Sequence, residues 1–258
     1  MIILKKRQTA GIRILKGWHD MTFLSEEENR RFIGTGEKNA DGLTLQTFLE
    51  KYDPKKYDSP CSTVDNLIFE APAAQIAAGN PVPDRVLLIK RRNHPSIGWW
   101  ALPGGFVEFR EDLDTAAARE LAEETGLTGI VEEQMKTYGA VGRDPRTRII
   151  TTAYIALVPD DSVKEKAGDD AKDAGWFKIA RKKLSEREED GKRYQNWELT
   201  LTQTAGDVVT HTEIEVSEQT NSFFKNRQYK VVKTDLLAAD HGAVILEGLD
   251  TIAAKAGR

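Results

Sequence analysis

The chain has 258 residues, 40% hydrophobic and 30% charged, with a formal net charge of −4. That length suits one large domain or one domain with sizeable additions, and the apolar share supports a packed core. The charge excludes a general basic field for nucleic acid, no run approaches the ~20 apolar residues of a membrane span, and the single cysteine, Cys61, excludes an intrachain disulfide.

A lone thiol fits a reducing cytoplasm, where the protein is expected to reside, and Cys61 reads as a small buried residue. The N-terminal stretch MIILKKRQTAGIRILKG lacks the order of charge, long apolar core and cleavage site of a signal peptide. Short strands are expected at 2–4 and 12–15. Ser25 to Glu28 is a capping-box pattern, so a helix starts there and ends before Gly34. Residues 34–42 are turn-rich, and 45–52 read as a second short helix, stopped before Pro54. This stretch, 1–60, carries no recognisable chemistry and reads as an extension used for packing or dimerisation.

Residues 61–72, CSTVDNLIFEAP, have β-branched and aromatic residues in partial alternation and read as a strand. A Gly/Pro-rich connection leads to RVLLIKRR at 85–92, a buried strand emerging at a charged edge. The segment GWWALPGGFVEF follows, and from Gly104 the chain reads GGFVEFREDLDTAAARELAEETGL. Pro103-Gly104-Gly105 forms a turn, because Pro fixes its own φ and Gly tolerates positive φ. Asp112 or Asp114 caps a helix; TAAARELAEET continues it with strong helix formers; Gly126 ends it. Glu120, Glu123 and Glu124 then share one face.

That face is unfavourable by itself. Like charges at this spacing repel by roughly 0.2–0.5 kcal/mol per pair, and acids in the last turn oppose the macrodipole by roughly 0.3–1 kcal/mol each. A solvated acidic face is the bland reading. A bound divalent cation would offset the penalty. Clustered hard oxygen ligands suit Mg2+ or Mn2+, and Mg2+ usually arrives with substrate phosphates.

Beyond this helix, 130–141 contains a strand, Asp144-Pro145 has turn chemistry, and RIITTAYIALV at 148–158 is the strongest β pattern, so the two strands form a hairpin. Residues 160–175 read as an acidic loop and 176–179 as a short strand. Residues 181–193 are charged and exposed. Strands at 198–201, 208–216 and 229–232 make an inserted β element at about 181–232, and 236–254 return to helical spacing.

Counted from Gly105, the segment is Gly, five residues, Glu111, seven residues, then Arg119-Glu120-Leu121-Ala122-Glu123-Glu124-Thr125-Gly126-Leu127. This resembles the signature of the Nudix hydrolases, G-x5-E-x7-R-E-U-x-E-E-x-G-U, with every specified position filled. GWWALPGGFVEF, GRDPRTRIITTAY and the closing segment with Leu237, Asp240, His241, Ile245 and Leu249 are most similar to the ADP-ribose pyrophosphatase-like group. The resemblance covers roughly 61–180 and the closing helix. It implies an α/β fold, the Nudix α/β/α sandwich with a mixed sheet, here with an N-terminal extension (1–60) and a Nudix domain (61–258) carrying the inserted β element.

The resemblance also implies a Mg2+- or Mn2+-dependent hydrolase cutting the pyrophosphate of a nucleoside diphosphate linked to X, with ADP-ribose, giving AMP and ribose 5-phosphate, as the leading substrate. Glu123, Arg119 and Glu120 would be the catalytic group. Glu120, Glu124, Glu123 and the Gly104 carbonyl would hold the metal, with Glu111 supporting them through Arg119. Glu165, Asp169 and Asp170 are candidates for a base outside the helix. Arg91, Arg92, Arg143, Arg146 and Arg148 are candidates to grip the diphosphate, since Arg forks match phosphate oxygens. Trp100 is a candidate to stack on a base, though at least one of Trp99 and Trp100 belongs in the core. His94, His211 and His241 are not at metal spacing and read as surface or packing residues. A homodimer is expected, and neither membrane nor nucleic acid is an expected partner. Two rival readings share the fold: a ligand-sensing transcriptional regulator and a nucleoside triphosphate sanitising enzyme.

Overall fold

The computed structural model describes residues 23–160 and 174–257. The expected strands at 2–4 and 12–15, and the acids Glu165, Asp169 and Asp170, lie outside the described residues. The chain divides into two compact units, one ending at Ser59 and one starting at Pro60. In the first, α1 (Glu26–Asn29) continues into a 3-10 turn at Arg30–Phe32. The capping box forms: the Glu28 N–H donates to Ser25 Oγ at 3.3 Å, and the Ser25 N–H to Glu28 Oε2 at 2.9 Å. Helix α2 (Leu45–Lys51) is capped by Thr44, which accepts from the Thr47 N–H, and buries none of its residues.

The second unit is built on one mixed sheet. Its strands are β1 (Cys61–Ala71), β2 (Arg85–Lys90), β3 (Trp100–Ala101), β4 (Gly104–Phe106), β5 (Glu133–Tyr138), β6 (Ile149–Pro159), β7 (Ala174–Glu189), β8 (Lys192–Gln203), β9 (Val209–Gln219) and β10 (Gln228–Thr234). The spatial order is β10-β9-β8-β7-β2-β1-β6-β5, with β3 on β2 and β4 on β1. Strands β1 and β6 run parallel along their whole length, and β5–β6 is the expected antiparallel hairpin. A short helix, α3 (Ala73–Ala77), sits in the connection read as irregular. Cys61 is exposed at the start of β1, which corrects its expected burial, because the first two residues of the strand lie outside the core.

The central strands read as near-continuous apolar runs because both faces are covered. One face of β1, β2, β6 and β7 presents Leu67, Phe69, Val86, Leu88, Ala153, Ile155 and Phe177 to helix α5 (His241–Lys255). The other presents Val64, Ile68, Leu87, Tyr154, Ala156, Val158 and Trp176 toward helix α4 (Leu113–Thr125), through Ala116, Ala117 and Leu121. The period-two alternation of the strands thus becomes the three layers of an α/β/α sandwich.

Residues 181–232 extend this same sheet and share its core: Leu199, Leu201, Ile214 and Val216 join the cluster under α5. Helix α5 lies so close that a Cβ on Gly242 would stand 2.6 Å from Thr212 of β9, and one on Gly248 would stand 2.2 Å from Leu67 of β1. Residues 181–189, read as a charged exposed stretch, are exposed and also continue β7 into a long hairpin with β8. Its turn is Asp190-Gly191, both at positive φ (50° and 71°), the Asp-Gly signal of a two-residue hairpin loop. No helix among the described residues is long and apolar enough to cross a membrane.

Candidate active site

Helix α4 begins after Asp112, which occupies the cap position without a side-chain hydrogen bond, and ends at Gly126 with φ 72°. The sheet fixes its position through Asn66 of β1. The Asn66 amide group donates to the Ala117 carbonyl at 2.9 Å, and its backbone N–H donates to the Pro103 carbonyl at 2.7 Å. One buried residue therefore ties both the turn and the helix to the central strand.

Gly104 and Gly105, expected as a turn, are instead the first residues of β4, pairing with Asp65 and Val64 of β1, and Gly104 leaves no room for a side chain. A Cβ on Gly104 would lie 2.1 Å from the Val64 carbonyl oxygen, and one on Gly105 would lie 2.4 Å from Glu120 Oε1. Gly105 thus leaves room for the Glu120 carboxylate to reach the turn. The Gly104 N–H donates to Glu124 Oε2 at 2.7 Å. Burial pushes the Glu124 carboxyl up to about 7, with the Gly104 N–H opposing and the nearby Glu120 charge adding to the rise.

Arg119 organises the acids. Its Nε and Nη2 donate to the two oxygens of Glu111 at 2.8 and 2.9 Å, and Nη2 also donates to the Phe106 carbonyl at 3.0 Å. Its Nη1 donates to Glu120 at 2.7 Å and to Glu123 at 3.3 Å. The Arg119 hydrogen bond holds the Glu111 carboxyl below the usual carboxylate range, and Glu111 and Glu120 together raise the Arg119 pKa. The bidentate fork fixes Arg119, and Arg119 in turn spaces Glu120 and Glu123.

Beside the turn opens a cleft of about 640 Å³. Gly104, Gly105, Glu123 and Glu124 line it, as do Arg91, Arg92, Arg143 and Arg146. Arg91 is oriented by its Nε donating to the Pro95 carbonyl at 2.7 Å. Arg143 has 7% of its side chain exposed and is engaged bidentately by Asp240 at 2.9 and 3.1 Å, with Asp65 at 3.6 Å. Burial pulls the Arg143 pKa down, but Asp240, Asp65 and Asp144 more than offset that and leave it raised. Arg146 is held in the same bidentate way by Asp144, at 3.0 and 2.9 Å.

Two expected substrate contacts lie outside this cleft wall. Trp100 is 6% exposed and packs edge-on against Phe177 at 4.8 Å between ring centroids, so it belongs to the core and does not line the cleft. Arg148 donates to the Ala140 carbonyl at 3.2 Å and is also absent from the cleft wall.

Asp65, Phe106 and His241 line the cleft without having been given a substrate role in the sequence, and Asp240 stands behind it as the partner of Arg143. Asp65 is buried in β1, where it accepts from the Thr151 hydroxyl at 2.8 Å; an acid inside an apolar strand was the available signal. Asp240 and His241 open α5, and His241 Nδ1 accepts the Leu102 N–H at 2.8 Å, which fixes any ring proton on Nε2. His241 is the packing residue expected, but one in the wall of the cleft. Phe106 is 47% exposed there with the Arg146 guanidinium over its ring.

The donor set of Glu120, Glu123, Glu124 and the Gly104 carbonyl is all oxygen, the chemistry of a hard divalent cation. Among the described residues no three acidic, His or Cys groups converge as a ready-made ligand shell. Glu124 rests on the Gly104 N–H, and Glu120 and Glu123 rest on Arg119.

A three-layer sandwich with this turn–helix–turn at the mouth of a charged cleft defines a class. The NUDIX domain model matches residues 74–197. The chain is 37% identical over 154 residues to the ADP-ribose pyrophosphatase of Methanocaldococcus jannaschii, covering 58% of this chain and 83% of the relative. It is 40% identical over 115 residues to the ADPR responsive transcriptional repressor NtrR of Acinetobacter baylyi, covering 44% of this chain and 43% of the repressor. A crystal structure of a MutT/nudix family protein from Enterococcus faecalis superposes with a TM-score of 0.54 at 27% identity, over 90% of this chain and 76% of that one. The chain belongs to the Nudix family, and its class of activity is that of a Nudix pyrophosphohydrolase.

Proposed function

We propose that the protein hydrolyses ADP-ribose to AMP and ribose 5-phosphate, using Mg2+ or Mn2+. The observation that carries this reading is a cleft lined by Gly104, Gly105, Glu123 and Glu124 of the box together with four arginines. The similarity to an ADP-ribose pyrophosphatase over 83% of its length supports the choice of substrate. Glu120 and Glu124, with Glu123 and the Gly104 carbonyl, are the residues that would hold the cation. When bound, such an ion neutralises phosphate charge and lowers the pKa of water. Arg119 and Glu111 position the glutamates. Arg91 and Arg92 line the cleft where they can meet the diphosphate.

The test is a substrate panel with purified protein and Mg2+ or Mn2+: ADP-ribose, NADH, diadenosine polyphosphates and modified nucleoside triphosphates. ADP-ribose is expected to turn over fastest, yielding AMP and ribose 5-phosphate in equal amounts. Faster turnover of a triphosphate would move the assignment to pool sanitising. The same reading includes a homodimer, for which light scattering should return twice the chain mass of 28.9 kDa.

The likeness to the NtrR repressor favours a second reading, a sensor that binds an ADP-ribose-like ligand. The overlap spans under half of that repressor, and the box here has every acid in place. A gel-shift assay with upstream DNA, run beside the hydrolysis assay, separates the two.

A further inference from the structure

With Trp100 withdrawn into the core, the cleft must meet the flat part of its substrate by another route. Phe106 is the hydrocarbon ring among the described residues that line the cleft, and it is 47% exposed. Its backbone is fixed on both sides: it pairs with Thr63 across β1 and β4, and its carbonyl accepts from Arg119. Its place is therefore set by the same guanidinium that spaces the box glutamates.

Arg146 lies over this ring, with its guanidinium carbon 5.3 Å from the centroid. One of the two donor edges of the guanidinium is taken, since Nε and Nη2 both donate to Asp144, so any phosphate contact is confined to the Nη1 edge. The Arg146 N–H also donates to Asp144 Oδ1, at 2.9 Å. Three donors of one residue thus converge on Asp144, which holds the guanidinium in place. With 42% of the side chain exposed, the guanidinium sits over Phe106. A guanidinium held on one edge beside an exposed aromatic ring keeps its π-face available, which makes it a good stacking surface.

We propose that Phe106 and Arg146 form the platform on which the cleft stacks the nucleobase of its substrate, and that Arg146 does not grip the diphosphate. The ligand class is a planar heteroaromatic base carried on a 5′-phosphate, and the box glutamates lie beside the platform because Gly105 adjoins both Phe106 and Glu120. This rests on the nucleoside diphosphate reading above and names the residues that would recognise the nucleoside half. Stacking tolerates any base, so the platform selects nucleosides over base-free diphosphates without choosing among bases.

The test uses the full chain with Mg2+ and ligands that are not hydrolysed: AMP, its fluorescent 1,N6-etheno analogue, ribose 5-phosphate and inorganic phosphate, titrated into wild type, Phe106→Leu and Arg146→Lys. Leu keeps apolar volume without a ring, and Lys keeps charge without a plane. Each variant should weaken AMP about tenfold, the scale of one lost stacked base, and abolish quenching of the etheno analogue. Ribose 5-phosphate and inorganic phosphate should stay within about twofold of wild type by the same scale. Equal losses for AMP and for inorganic phosphate would show that Arg146 serves the phosphates and overturn the proposal. Unchanged AMP affinity in both variants would overturn the platform alone. A wild-type protein that binds no AMP would overturn the nucleoside reading together with the platform. Circular dichroism spectra matching wild type identify folded variants, and Phe106→Tyr, which restores a ring, should rescue AMP binding.

Discussion

The two long helices flank the same sheet and are built to opposite ends. Helix α5 buries nine of its 15 residues and carries Lys255 in its last turn, where a cation complements the macrodipole. Helix α4 buries four of its 13, two of them alanines, and its last turn holds Glu123 and Glu124 with no basic residue. By itself α4 is the poorer helix. It is held from outside by the Arg119 fork on Glu111, the Gly104 N–H on Glu124 and the Asn66 amide. The difference teaches where stability was kept and where it was given up for chemistry: the sheet is anchored by α5, which leaves α4 free to carry acids that a stabilising helix would exclude.

The sharpest way to break this comparison is Glu124→Gln. Turnover should fall by about 10²–10³-fold or more, the scale of losing one preorganised charge-stabilising group, while the melting temperature without metal holds or rises. Gln still accepts from the Gly104 N–H and removes a carboxyl that is costly to ionise there. Unchanged turnover would end the assignment of α4 as the catalytic helix. The mirror experiment is Leu246→Ala in α5, 1% exposed. It should cost about 2–5 kcal/mol in urea unfolding without altering turnover of the folded fraction.

Between these lies Arg143→Met, which strips the buried guanidinium from Asp240 and Asp65. Stranding partly buried carboxylates should cost about 3 kcal/mol, read by denaturant titration. A loss below 1 kcal/mol would mean that water reaches the pair freely.

The smallest expected effect is Glu132→Gln, just beyond α4. Burial pushes the Glu132 carboxyl from an ordinary 4.5 up to about 7, and Oε1 is buried without a hydrogen-bond partner. A raised carboxyl pKa favours the folded state only while the group is protonated. Its contribution is complete below about pH 4.5 and is lost as pH rises through about 7. At pH 8 the Gln variant should therefore be more stable by roughly 1–2 kcal/mol, after discounting for partial exposure, and the gain should vanish at pH 4.5. Equal gains at both values would assign the effect to packing.

The box helix was legible because what shapes it is local. The helix to Thr125 and the stop at Gly126 depend on neighbours within one or two turns, whereas Gly104 and Gly105, expected as a turn, became part of β4 because they pair with Asp65 and Val64 of β1. The Glu111–Arg119 bond spans eight residues and was read from the same segment. Strands β1, β2, β5 and β6 were legible from their apolar runs and alternation. The long β7–β8 hairpin was obscured because its charged residues suggested loop, although Asp190-Gly191 carried the turn signal.

By itself the sequence determined the family, the box helix and its end at Gly126, and the acids that share one face of it, since spacing along one helix converts directly into a shared face. It could not determine which arginines are free to meet a ligand. Arg143 is paired 97 residues away with Asp240, and Trp100 is drawn into the core by Phe177. Those partners meet only once β1, β2, β6, β7 and α5 have assembled. Which charges are neutralised and which rings are buried is a property of that assembly, because desolvation and pairing act across space and leave no mark on sequence spacing.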